Sequence, residues 1–144
     1  MKVFTIGFTK KTAEVFFAKL SMAGVQRLID VRLNNISQLA GFSKKDDLRY
    51  FLRVICNIEY LHLPDLAPTQ ALLDEYKKVS HDWEPYAARF SSLIAERNVE
   101  NTIEHGVISN SCLLCSEERP DHCHRRLVAE YLRDRWGGVD IVHL

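Results

Sequence analysis

The chain has 144 residues, 47% of them hydrophobic and 26% charged, and its 19 basic residues balance its 19 acidic ones. A chain near 150 residues buries roughly 68–70% of its unfolded surface, so one core and a single α/β domain over 1–144 are expected. Zero net charge lacks the field that captures a long nucleic-acid track, no stretch matches a signal-peptide core or a membrane span, and four scattered cysteines make no disulfide framework, so a cytoplasmic protein with reduced thiols is expected.

Lys2 to Ile6 (KVFTI) is a β-branched and aromatic run closed by Gly7, and Thr12 opens a helical pattern through Val15, Phe16, Lys19, Leu20 and Ala23. Gly24 stops that helix as a C′ glycine, and Val25 to Val31 (VQRLIDV) reads as a second, buried strand. Such a unit has parallel strands and a right-handed crossover. The loop GFTKKT and the segment after Asp30 therefore leave the sheet on one edge, where ligands of open α/β sheets gather. Gly7, Thr9, Lys10, Lys11 and Thr12 ahead of a helix suit a phosphate cradle, although one glycine makes neither a Walker nor a dinucleotide fingerprint. Asp30 and Arg32, two apart, point to one face and can either pair or serve a site.

A polar loop follows over 33–43 (LNNISQLAGFS), with Ser37 and Gln38 among its polar residues. Ser43 can cap a helix over 44–55, with Asp46 in the capping-box position and Leu48, Phe51, Leu52 and Ile55 buried. Cys56 is expected as a small buried hydrophobe. Ile58 to Leu63 (IEYLHL) alternates as a third strand, and Pro64 and Pro68 make PDLAP irregular. A short helix over 69–79 points Leu72, Leu73 and Tyr76 inward. A longer one from Ser80 or Asp82 tolerates Pro85 in its first turn and aligns Tyr86, Phe90, Leu93 and Ile94. The signal over 98–110 is weak. A strand over 112–115, a helix from His122 to about Trp136 capped by Asp121, a turn at Gly137 and Gly138 and a strand over 139–143 complete a three-layer sandwich around a mainly parallel sheet of about five strands.

The stretch Ser111 to Arg126 (SCLLCSEERPDHCHRR) concentrates reactive and charged side chains at a strand-to-helix junction. With the helix starting at His122, Cys123, His124, Arg125 and Arg126 fall in its first turn, where the dipole is positive and each cation costs about 0.3–1 kcal/mol. An anion docked on the exposed N–H groups removes that conflict, and so does pairing with Glu117, Glu118 or Asp121. The same positive potential lowers a thiol pKa into the range of about 3.5–7.5, which makes Cys123 a candidate nucleophile with Cys115 facing it across the turn. Cys112 and Cys115 form C-x-x-C on a strand, where residues three apart point to opposite faces, so neither a zinc knuckle nor a redox pair is expected of them. A set of Cys115, His122, Cys123 and His124 has no fixed ligand spacing, and neither metal nor cofactor is expected.

TIGFT, LIDVR, GFSKKDDLRYFL, IEYLHLPDLAPT, LLCSE and CHRRLVAEYL together make the chain similar to the uncharacterised microbial family called domain of unknown function 488. The resemblance spans nearly the whole chain and rests most on Cys115, Glu117, Cys123, His124, Arg125 and Arg126. Phe8 stands where that family often has histidine, and LNNISQLAGF follows Arg32 where it often has a serine or proline loop. The resemblance implies an α/β fold and names no activity.

The leading expectation is a cleft at the carboxyl edge that binds a phosphate-containing or other small anion, a nucleotide included, through Gly7, Thr9, Asp30, Arg32, Arg125 and Arg126. Cys123 would be the nucleophile, His124 or Glu117 the acid or base, and Cys115 a participant. The alternatives are a non-catalytic module for a nucleic-acid end or phosphorylated partner, and a thiol-redox sensor using Cys115 and Cys123.

Overall fold

A computed structural model describes residues 1–36 and 41–144; Ser37 and Gln38 of the expected polar loop lie outside the described residues. Strand β1 (Lys2–Gly7) leads to helix α1 (Ala13–Ala23), where the Thr12 side chain accepts from the Val15 N–H and Gly24 closes the helix at φ 73° by donating to the carbonyls of Leu20 and Ser21. Strand β2 (Arg27–Asp30) is shorter than its apolar run suggests, because the Val25 N–H still serves the end of α1 by donating to the Leu20 carbonyl. Helix α2 (Lys45–Phe51) widens into a π-helical turn over Leu52–Cys56. Its N-cap is Lys44 with no side-chain cap bond; the expected cap, Ser43, is buried in a 3₁₀ turn over Gly41–Ser43. Ile55, expected in the core, is 58% exposed, since the widened turn rotates it away from the α2 stripe.

Strand β3 (Glu59–His62) is followed by helix α3 (Gln70–Asp74), capped by Thr69 and likewise widened over Glu75–Ser80. Helix α4 (Trp83–Glu96) buries Trp83, Tyr86, Phe90 and Ile94 on one stripe. The weak stretch after it holds two single-turn helices, α5 (Val99–Thr102) and α6 (His105–Ile108). Strand β4 (Ser111–Cys115), helix α7 (His124–Trp136) and strand β5 (Asp140–His143) end the chain. No helix among the described residues is long and apolar enough to cross a membrane.

The sheet runs β3-β2-β4-β1-β5 with every pairing parallel. The connections from β1 to β2 to β3 travel one way across it, and those from β3 to β4 to β5 travel the other. Right-handed crossovers then put α1 and α2 on one face and α3 to α7 on the opposite one. The core agrees with this. Phe16, Phe17, Leu20, Leu48 and Leu52 pack with Phe4, Ile6, Leu28, Cys112 and Leu114 on the first face. Trp83, Phe90, Ile94, Leu127, Val128 and Leu132 pack with Val3, Ile29, Leu113 and Cys115 on the second. Each helical layer covers one side of strands whose neighbouring residues alternate between the two. Next to one another in the sheet, β2 and β4 send their following segments apart, to opposite faces. That divergence opens a crevice at their carboxyl ends.

Candidate functional site

The crevice holds a cavity of about 170 Å³. Its walls come from Arg32 to Asn34 after β2, Cys115 to Glu117 after β4, His122 to His124 before and at the start of α7, and Tyr76, Lys77 and Tyr86 from the helical layer above. Arg32 thus reaches the same cleft as the cysteine–histidine element, with the fully buried Asp30 paired to it from behind, because parallel strands place their carboxyl ends on one edge.

The start of α7 departs from the expectation in a way that changes the chemistry. Asp121 does not cap the helix. Pro120 to Cys123 forms a turn, closed by the Cys123 N–H on the Pro120 carbonyl at 3.2 Å, and the extended Cys123 (φ −134°, ψ 136°) becomes the N-cap. Cys123 is therefore outside the first helical turn and almost fully buried, and burial, with its hydrogen bond to Cys115, pushes its thiol well above the usual range. Cys115 moves the other way. The hydrogen bond from Cys123 holds its thiol below the usual range, against the opposing effect of burial and with help from the Ser116 backbone. The better thiolate of the pair is Cys115, at the end of β4.

His124 is buried above Cys115, with Nδ1 at 3.5 Å and Nε2 at 3.8 Å from the sulfur. Nε2 lies 2.6 Å from the Val31 carbonyl, which can only accept, so Nε2 carries a proton. Cys112, one face away, is fully enclosed among apolar side chains, and burial pushes its thiol up.

Arg32 is 2% exposed and meets Asp30 in a two-pronged pair, with Nε on Oδ1 and Nη2 on Oδ2, both at 2.8 Å. The Tyr60 hydroxyl donates to the same carboxylate at 2.6 Å, which with burial raises the tyrosine pKa, and Asn35 donates to that hydroxyl. The guanidinium carbon lies 5.4 Å from the centre of the Phe8 ring. Its third nitrogen, Nη1, is buried and has no hydrogen-bond partner among the described residues. A buried donor without an acceptor costs about 1–3 kcal/mol, more on a charged group, so this atom stands out.

The remaining residues singled out in the sequence sit around the cavity rather than in its wall. Gly7 lies against the loop after β4: a Cβ there would come within 1.6 Å of the Glu117 carbonyl oxygen. Thr9 binds that loop too, its hydroxyl donating to the Ser116 carbonyl at 2.6 Å and its N–H at 3.1 Å. Arg125 is buried and donates from Nη1 and Nη2 to the carbonyls of Glu117 and Glu118, at 2.6 and 3.3 Å. Arg126 donates to the Asp121 carbonyl at 2.7 Å and lies 3.3 Å from the Glu130 carboxylate. The cations at the wrong end of the helix dipole are thus matched by backbone oxygens and Glu130. The carboxylates of Glu117, Glu118 and Asp121 pair instead with Lys77, Lys10 and Arg119. Glu117 does line the cavity, at its rim with Lys77; burial is the largest influence on the lysine pKa and lowers it, but the hydrogen bond that Lys77 donates to this carboxylate, together with the nearby negative charge, makes the net shift upward.

Sequence reasoning missed Tyr76, Lys77 and Tyr86 as cavity residues. The inward stripe positions of Tyr76 and Tyr86 were legible as core, but nothing in the sequence tells a core position from a cavity wall.

The profile of one protein family, described as Domain of unknown function DUF488, matches residues 12–132. No curated protein and no solved structure matches the chain.

Proposed function

The chain belongs to the DUF488 family, a membership that carries no activity with it, and from that premise and the cleft geometry we propose a thiol-dependent protein acting on a small anionic ligand. Arg32 holds the anionic group through Nη1, and Cys115 is the nucleophile presented to it. The observation that carries this reading is the pairing, in one small cavity, of a buried guanidinium with an unmatched N–H group and a thiol held below its usual range. Asp30 and Tyr60 fix the guanidinium, so its remaining donor is already oriented and loses little freedom on binding. His124, its Nε2–H held by Val31, has Nδ1 left to exchange a proton with Cys115 or with a leaving group, and Glu117 at the rim is a second candidate for proton transfer.

Size narrows the ligand. Pockets for drug-sized molecules span roughly 300–1,000 Å³. A cavity of about 170 Å³ takes a phosphate- or carboxylate-sized group with a few further atoms, and a nucleotide would leave most of itself outside. The alternative of a module for a nucleic-acid end or phosphorylated partner leans on Arg32, Arg125 and Arg126, and the last two have their guanidinium groups engaged with loop carbonyls, so the support goes to the small ligand.

Paired alkylating reagents test the proposal. Iodoacetate, which carries a carboxylate, should modify Cys115 at least tenfold faster relative to iodoacetamide than it modifies a free thiol, the lower end of what a charged hydrogen bond of about 1.5–3 kcal/mol provides. Inorganic phosphate should protect Cys115. Arg32→Lys keeps a cation for Asp30 but lacks the third nitrogen, so it should remove both the preference and the protection. Equal rates with the two reagents in the parent chain would refute the anion site.

A further inference from the structure

Cys115 Sγ, Cys123 Sγ and a ring nitrogen of His124 all lie within 4.8 Å of one another, and all three residues are buried. Attack by one thiol does not require a second sulfur and an imidazole so close. Around a tetrahedral zinc ion, with Zn–S at about 2.3 Å and Zn–N at about 2.0–2.1 Å, sulfur and nitrogen ligands stand about 3.6 Å apart. The Cys115 sulfur is 3.5 Å from His124 Nδ1. It is also 3.8 Å from Nε2, nearly equidistant from the two nitrogens, which places it off the lone-pair axis of Nδ1. That is a poor alignment for a hydrogen bond, and an ion shared by the two groups requires the imidazole to turn until the Nδ1 lone pair faces it.

The outer contacts fit as well. Histidines that bind metal commonly donate their other N–H to a carboxylate or a backbone carbonyl, which fixes the tautomer; here Nε2 does so to Val31 at 2.6 Å. Two thiolates, a neutral imidazole and Zn²⁺ sum to zero charge, a condition that a buried site favours over an uncompensated thiolate pair. All three donor residues line the cavity, so a fourth position would open onto it, as in zinc sites that exchange ligands. The geometry points to a zinc site in which Cys115 Sγ, Cys123 Sγ and His124 Nδ1 hold one Zn²⁺, with the fourth position facing the cavity beside Arg32. Binding displaces the thiol protons to solvent and engages the Cys115 sulfur, so the metal-loaded chain is the unreactive form of the thiol. The inference goes beyond the anion reading and does not need Arg32.

Cobalt is the probe. The reduced full chain, stripped of metal by a chelator, is titrated with Co²⁺. Expected are saturation at one equivalent, intense visible bands of tetrahedral cobalt, a thiolate-to-cobalt charge-transfer band in the near ultraviolet, and displacement of both by Zn²⁺. Cys123→Ser should lose the charge-transfer band and Cys56→Ser should keep it, with far-ultraviolet circular dichroism checking that each is folded. Independently of any variant, one equivalent of Zn²⁺ should slow iodoacetamide alkylation of Cys115 and Cys123 at least tenfold and leave Cys56 unchanged. Cobalt spectra without the thiolate band, or zinc protection that is absent or equal at all three cysteines, would overturn the site. A lost cobalt signal with the iodoacetate preference intact removes only the metal site, and the reverse result removes only the anion site.

Discussion

Arg32 and Gly7 show how single residues act on the cleft from opposite directions. Arg32 is fixed through two of its three guanidinium nitrogens, while the third is buried without an acceptor among the described residues. Gly7 contributes an absence. With no side chain it allows the backbone of Glu117 to pass so closely that any Cβ would collide with a carbonyl oxygen, a neighbour that cannot rotate away. Gly7→Ala should lower stability by about 3 kcal/mol, at the upper end of ordinary overpacking, and weaken whatever the cleft binds because the Cys115 to Glu117 segment must shift. Gly106→Ala meets nothing within 4 Å and should stay within about 0.5 kcal/mol. Urea midpoints of the two variants decide the matter; similar midpoints would mean that the loop after β4 adjusts freely.

Among the elements, the junction between β4 and α7 carries most of the site, and its arginines are not equivalent. Arg125 is buried and stitches the carbonyls of Glu117 and Glu118, with Thr5 within 3.4 Å of its Nε, to the first turn of α7. Arg126 is partly exposed and makes contacts that water can replace. Arg125→Gln should therefore destabilise the chain by about 2–4 kcal/mol, through carbonyls left without donors. Arg126→Gln should change stability by at most about 1 kcal/mol. Thermal melting separates them: a drop of at least about 6 °C is expected for the first and under about 3 °C for the second. A docked anion as the reason for both arginines would instead leave Arg125→Gln no less stable. At the same junction the sequence signal for the helix start misled by two residues, because Asp121 is a good cap in isolation while Pro120 to Cys123 closes into a turn.

For the whole molecule, the strand order decides where the site can be. The connections after β2 and β4 lead to opposite faces and also away from each other across the sheet, and the cavity is found between these two neighbours. The same order ranks local stability. Central β4 is buried at every residue, whereas β3 and β5 lie at the edges and are partly exposed. Amide hydrogen exchange should be slowest in β4 and faster in β3 and β5 by roughly two orders of magnitude, since edge strands open without unfolding the centre. Equal protection across all five strands would mean that the sheet opens only as a unit.

Much of this was legible from the chain alone. The five strands and the longer helices follow from apolar periodicity and from local start and stop signals such as Thr12 and Gly24, which work within a few residues of backbone and need no partner. The opposite facing of Cys112 and Cys115 follows from strand alternation, and the meeting of Arg32 with the cysteine–histidine element follows from parallel strands sharing a carboxyl edge. Three things waited for the fold. The ordering of the two thiols reverses, because Cys123 loses its place in the first helical turn and becomes buried, while Cys115 gains hydrogen bonds from a residue eight positions away. The role of Arg125 changes from ligand contact to loop clamp, because its partners are backbone carbonyls, which no side-chain pattern encodes. The unmatched nitrogen of Arg32 exists only once Asp30, itself held by the Tyr60 hydroxyl, has engaged the other two. Short-range preferences are written in the order of residues, whereas burial and hydrogen-bond satisfaction depend on which distant segments meet, and here those decide the chemistry of the cleft.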